Sequence, residues 1–157
     1  MQRFVKFGLA AACATVALGA SANELTEDQA RAAVETRQAV FKLMGWNMDP
    51  LGAMLRNRVP FDAERAALSG ERLQQLAQLI SDAFEADTRE FHGGIETQAR
   101  NGAWSNRSDF TDQANALVRA AANLQEVAAS GDRAGTLRAV GQVGQACGSC
   151  HDRYRDD

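Results

Sequence analysis

The chain has 157 residues, 17 Lys and Arg against 20 Asp and Glu, and a net charge of -3, which argues against nucleic acid or an anionic membrane surface as its main partner. Its length suits one domain with a single core, and its two prolines and three cysteines exclude a Pro-rich linker protein and a dense disulfide scaffold.

The first residues read as a leader. Arg3 and Lys6 precede an apolar run from Phe7 to Leu18, too short to anchor in a bilayer, and Ala20-Ser21-Ala22 follows as a small-residue cleavage signal. The expected signal peptide is therefore 1–22, leaving a domain of 23–157 exported without a membrane anchor. Cys13, Arg3 and Lys6 leave with it, so the mature part has 15 basic and 20 acidic residues, a net -5, and only two cysteines.

The mature part is rich in Ala, Leu, Gln, Glu and Arg and poor in β-branched residues, which favours helix. Thr26 opens the first helix with a Thr-x-x-Gln capping box closing at Gln29, and its expected seam is Val34, Phe41, Met44, Met48 and Leu55, with a kink at Pro50. Asp62 caps the second helix after Val59-Pro60, with a seam of Ala66, Leu73, Leu76, Ile80 and Phe84 and a weak point at Gly70. From about Asp87 to Trp104 the period is lost around Gly93-Gly94 and Asn101-Gly102, which predicts one long loop.

The third helix, from near Ser105, repeats Phe110, Ala114, Leu117, Ala121, Leu124 and Ala128. Ser130-Gly131-Asp132 separates it from a fourth, whose stripe carries Leu137, Val140, Gly144, Cys147, His151 and Tyr154. Short connections within each half imply antiparallel neighbours. The expected fold is all-α, an up-down-up-down four-helix bundle.

Chemistry concentrates in Cys147-Gly148-Ser149-Cys150-His151. Two thiols one helical turn apart with an adjoining imidazole have the spacing to grip one planar macrocycle. The thiols form thioethers to its vinyl groups, and His151 supplies a neutral nitrogen to its iron, which describes haem c, one per chain. A thioredoxin-like pair would sit at a strand-to-helix junction, and a structural zinc site would need four ligands where only His92 remains as a further good donor. His92 itself reads as surface.

No Met, His or Lys follows His151, so a second iron ligand would come from upstream. The first helix offers Arg37, Phe41, Met44 and Met48. Phe41 cannot ligate; either methionine could, although such residues usually fill core gaps.

Together, Arg37-Gln38-Ala39-Val40-Phe41, Val59-Pro60-Phe61-Asp62-Ala63, Trp104 and the run Cys147 to Arg155 resemble the class II cytochromes c, and within them the cytochrome c′ family. That resemblance implies a periplasmic homodimer of four-helix bundles. Phe41 then falls where low-spin relatives hold a Met ligand and cytochrome c′ holds a bulky non-ligating residue, implying five-coordinate, high-spin haem. It also implies Arg37 near the haem propionates and Arg155 flanking the proximal face. The function expected is binding of small gases such as nitric oxide (NO) or carbon monoxide (CO), with electron transfer to an unidentified redox partner as a further capacity, and no enzyme activity. The alternative is a six-coordinate electron carrier ligated by Met44 or Met48.

Overall fold

The computed structural model describes residues 24–156; the expected leader, with its cleavage site and Cys13, lies outside them. Five α-helices follow in order: α1 (Glu27–Leu55), α2 (Ala63–Ala83), the short α3 (Gly102–Ser105), α4 (Arg107–Ala129) and α5 (Arg133–Tyr154), with a 3-10 turn at Arg89–Phe91. The four long helices form the bundle. α2 packs most extensively on α4, α4 on α5 and α1 on α2, whereas α1 meets α5 sparsely.

Their ends follow the capping chemistry. The Thr26 hydroxyl accepts from the Gln29 amide, and the Gln29 side chain accepts in return from the Thr26 amide. Asp62 caps α2 through the Arg65 amide, and Asp132 caps α5 through the Gly135 amide. α1 runs on through Pro50 as one helix, although proline removes the donor that the Trp46 carbonyl would otherwise receive.

The α4 seam is buried at all six expected positions. α1 differs from expectation. Its buried strip is Ala30, Val34, Arg37, Val40, Met44, Asn47, Leu51 and Met54, while Phe41 and Leu55 are exposed and Met48 is only partly covered. On α5, Gly144 and His151 lie outside the buried stripe, which runs instead through Thr136, Ala139, Val140 and Val143 to Tyr154. The third long helix starts at Arg107 rather than Ser105, because the backbone breaks at Asn106 (φ -122°, ψ 55°) after the separate turn α3. The long loop is thus partly helical, through α3 and the 3-10 turn.

Gly70 has a positive role. A Cβ there would come within 2.7 Å of the Gln125 amide nitrogen and 3.1 Å of the Ala121 carbonyl oxygen on α4. Backbone cannot yield as a flexible side chain does, so the glycine permits the close α2–α4 approach. Gly70→Ala is expected to destabilise the fold by about 1–3 kcal/mol, outweighing the roughly 1 kcal/mol of helix propensity that alanine adds. A denaturation midpoint unchanged or raised would contradict that packing.

Candidate functional site

Cys147, Cys150 and His151 all lie in the last two turns of α5. Both thiols are free, half-buried and packed against the main core, while the imidazole is exposed. Burial pushes the Cys147 thiol up, and pushes Cys150 up to about 11 with a further push from Cys147. Both are therefore protonated at neutral pH. A disulfide-exchange pair needs the opposite, a thiolate favoured by a helix N-terminus, and these thiols sit at the unfavourable end of the dipole. His151 is shifted down, first by burial and then by the Arg155 cation, so its imidazole is neutral and free to donate a lone pair. Among the described residues no three His, Cys, Asp or Glu side chains converge as a metal-holding group, so nothing assembles a zinc site around the pair.

The end of α5 is tied down by the loop before α3. The Arg100 amide donates to the Tyr154 carbonyl (2.9 Å) and the Asp156 amide to the Gln98 carbonyl (2.8 Å). Arg100 also donates through Nη1 to the Asp152 carbonyl (2.8 Å) and through Nε to Asp156 (2.7 Å). Arg155 leaves the helix in extended conformation, and its Nε donates to Gln98 Oε1 at 3.0 Å. It is thus an exposed, tethered cation close enough to His151 to affect its charge.

Behind the thiols runs a chain of aromatic contacts. Tyr154 packs edge-on against Phe110 (5.1 Å between centroids), Phe110 against Phe84 (4.7 Å), and Phe84 against Trp104 (5.4 Å) and Phe41 (6.3 Å). The Tyr154 hydroxyl donates to the Asp109 carboxylate, which also accepts from Arg153 at 3.0 Å.

Arg37 closes the other side and is only 3% exposed. Its guanidinium lies 4.9 Å from the Phe84 centroid and 5.0 Å from that of Trp104. Nε donates to the Ala33 carbonyl (3.2 Å) and Nη2 to the fully buried Thr88 hydroxyl (2.9 Å), but Nη1 is buried without an acceptor. One turn on, Phe41 is 38% exposed. Met44 is instead buried in the core, with Met48 packed partly against it.

Sequence reasoning missed Thr88 and His92. Far from plain surface, His92 packs its ring 5.7 Å from that of Trp104 and buries Nε2 without a partner. A histidine in a Gly-bearing loop gives no periodic signal from which this could be read. Two surface depressions also occur, one including Ala33, Thr36, Asp82 and Glu85 in its lining and one lined by Ala39, Lys42, Leu43 and Trp46; the cysteines and His151 line neither.

The side chains present fit a haem. Two unbonded thiols suit its vinyl carbons, a neutral imidazole suits its iron, and a buried guanidinium with a spare N–H suits a carboxylate.

Comparison with known proteins agrees. The family model described as cytochrome C' matches residues 32–155. A cytochrome c' from Rubrivivax gelatinosus is 33% identical over 124 residues, covering 79% of this chain and 94% of that protein. Among solved structures, cytochrome c prime from Shewanella frigidimarina superposes with a TM-score of 0.75 at 30% identity, covering 84% of this chain and 100% of the other. A nitric oxide complex of a cytochrome c prime mutant from Alcaligenes xylosoxidans gives 0.72 at 28% identity, with 82% and 97% covered.

Tyr154, the chain's one tyrosine, gives a direct test of the anchoring at the end of α5. Its phenol is pushed up to about 12, first by burial and then by its bond to Asp109. A raised value favours the neutral form, so this contribution to stability is complete below pH 10 and is lost as pH rises through 12. Tyrosinate absorbance should therefore appear near 12 in the native protein and at lower pH in Asp109→Asn. Coincident titrations would contradict the Tyr154–Asp109 contact.

Proposed function

We propose, for a chain that belongs to the cytochrome c′ family and so carries one covalently attached haem c, that Cys147 and Cys150 are the thioether anchors and His151 the one protein ligand to iron. In this reading Phe41 covers the opposite haem face, and the protein is a periplasmic binder of small neutral gases, NO or CO, rather than an enzyme. When bound, a haem with one protein ligand supplies an iron with an open coordination position to which such a gas can add.

Phe41 is the observation that carries the reading. Its ring is not absorbed by the core and touches the aromatic chain only edge-on at Phe84, while the nearby sulfur ligand candidate Met44 is held inside the core among packed side chains. A phenyl ring offers neither a lone pair to iron nor a hydrogen-bond donor to a bound ligand. It therefore favours diatomic gases over charged ligands and slows access by bulk. The nitric oxide complex of the Alcaligenes relative supports the same ligand class.

Arg37 is assigned to a haem propionate, in keeping with its buried charge and spare Nη1. Arg155 is assigned to the His151 side, where its charge acts on the imidazole and could stabilise a ligand bound there. Pairing with a second copy is supported by exposed apolar residues on α1 and α2, including Leu43, Trp46, Leu68 and Leu79. Electron transfer remains a second capacity of the same iron.

The anchors are tested by Cys147→Ala with Cys150→Ala, which should abolish the covalent haem mass; retention of it would refute the assignment. The open position is tested by CO uptake of the ferrous protein in a variant series. Met44→Leu and Met48→Leu are expected to leave the spectrum and CO uptake unchanged, whereas Phe41→Met should give a low-spin spectrum and slow CO binding by tenfold or more. Loss of a low-spin spectrum in either methionine variant would establish the electron-carrier alternative instead.

A further inference from the structure

Among the described residues two buried side-chain nitrogens lack partners, Arg37 Nη1 and His92 Nε2, and both side chains pack on the Trp104 ring, the guanidinium carbon 5.0 Å and the imidazole centroid 5.7 Å from its centroid. The Arg37 charge acts on His92, so the two lie within electrostatic reach of each other. Neither nitrogen is hydrogen-bonded to an acid, although the charges of Asp87 and Asp156 act on His92 and that of Asp87 on Arg37. Asp87 is the carboxylate whose charge acts on both, yet its two oxygens accept from Arg89, through Nε at 2.9 Å and Nη2 at 2.5 Å. The Trp104 N–H is already used, donating to the Ala86 carbonyl at 3.1 Å, and Thr88 is engaged by Arg37.

A buried donor without an acceptor loses its hydration with nothing in return, and the loss is larger when the group is charged. Arg37 Nη1 is a cationic donor, and His92 Nε2 is a second one when the imidazole proton sits there; together they suit an acceptor with two or more lone pairs and a negative charge. A carboxylate meets both needs.

We propose that His92 is a second haem-carboxylate donor, its Nε2–H acting together with Arg37 Nη1 on one propionate of the bound haem. The inference rests on the haem site proposed above. It gives the loop between α2 and α3 a direct hold on the cofactor, with Trp104 as the shared wall that orients both donors. His92 is shifted down, first by burial and then by Arg37, which favours the neutral imidazole, and the proposal places its one proton on Nε2.

Donation to the propionate disperses its negative charge, which otherwise stabilises ferric over ferrous haem. In the holoprotein, His92→Phe keeps an aromatic ring beside Trp104 but deletes the donor. It is expected to favour the ferric state about tenfold, a fall of about 59 mV for one electron. His92→Gln restores an N–H and should recover most of that change. A potential unmoved in His92→Phe, or lowered equally in both variants, would overturn the proposal.

Should a variant not fold, nitrogen-15 NMR of the wild-type imidazole decides. A protonated, hydrogen-bonded Nε2 is expected, and a bare Nε2 would refute the donor role. Peptide mapping of the haem keeps the premise separate. Haem attached away from Cys147 and Cys150 would mean that the site reading has failed, whereas correct attachment with an unmoved potential would defeat the His92 role alone.

Discussion

Whatever the thiols and imidazole of α5 do depends on the last two turns of that helix holding their shape, and a helix end has no internal partners for its final carbonyls. Here the chain solves this from outside the helix. The loop before α3 runs back along the end of α5, and Arg100 alone satisfies the carbonyls of Asp152 and Tyr154 while pairing with Asp156. Tyr154 then plugs the helix into the aromatic chain and reaches Asp109 on α4. The motif is thereby fixed relative to α2 and α4, the best-packed pair in the bundle, and not merely to its own helix.

The same aromatic chain ends at Arg37 and Phe41, one turn apart on α1. Burying a guanidinium is costly, and the structure offsets the cost only in part, with two hydrogen bonds and two aromatic faces. The unfinished portion is informative, because a group that folding leaves half-satisfied is one that a cofactor can complete. α1 and α5 pack sparsely together, so the side of the bundle between them is little committed to protein–protein contact. In the proposed reading Arg37 is the polar anchor, Phe41 the apolar cover and the end of α5 the ligating element, while α2 and α4 supply rigidity.

Much of this was legible in the sequence, and the failures have physical causes. The α4 seam is uniformly apolar, and pattern and burial coincide there. On α1 the heptad positions Arg37, Met44 and Leu51 and the positions Val40, Asn47 and Met54 are buried, but Arg37 and Asn47 disguise them. A reading that follows hydrophobicity slips one residue, onto Phe41, Met48 and Leu55. The slip matters because it places Phe41 in the core, whereas the residue is exposed, as the proposed haem cover must be. Gly70 was misread for a related reason: propensity describes an isolated helix, and the Gln125 backbone that excludes a Cβ belongs to another element. That Cys147, Cys150 and His151 lie together on one helix was legible because it depends on local spacing alone. Thr88, His92 and the loop contacts to α5 were not, since they are long-range and lack a period.

The central claim is that His151 is the one protein ligand to iron and that Phe41 leaves the other position open. The optical spectrum of the purified wild-type protein, ferric and then ferrous, addresses it most directly. The account predicts high-spin spectra in both states and no methionine-to-iron charge-transfer band in the ferric form; a low-spin ferric spectrum carrying that band would contradict it.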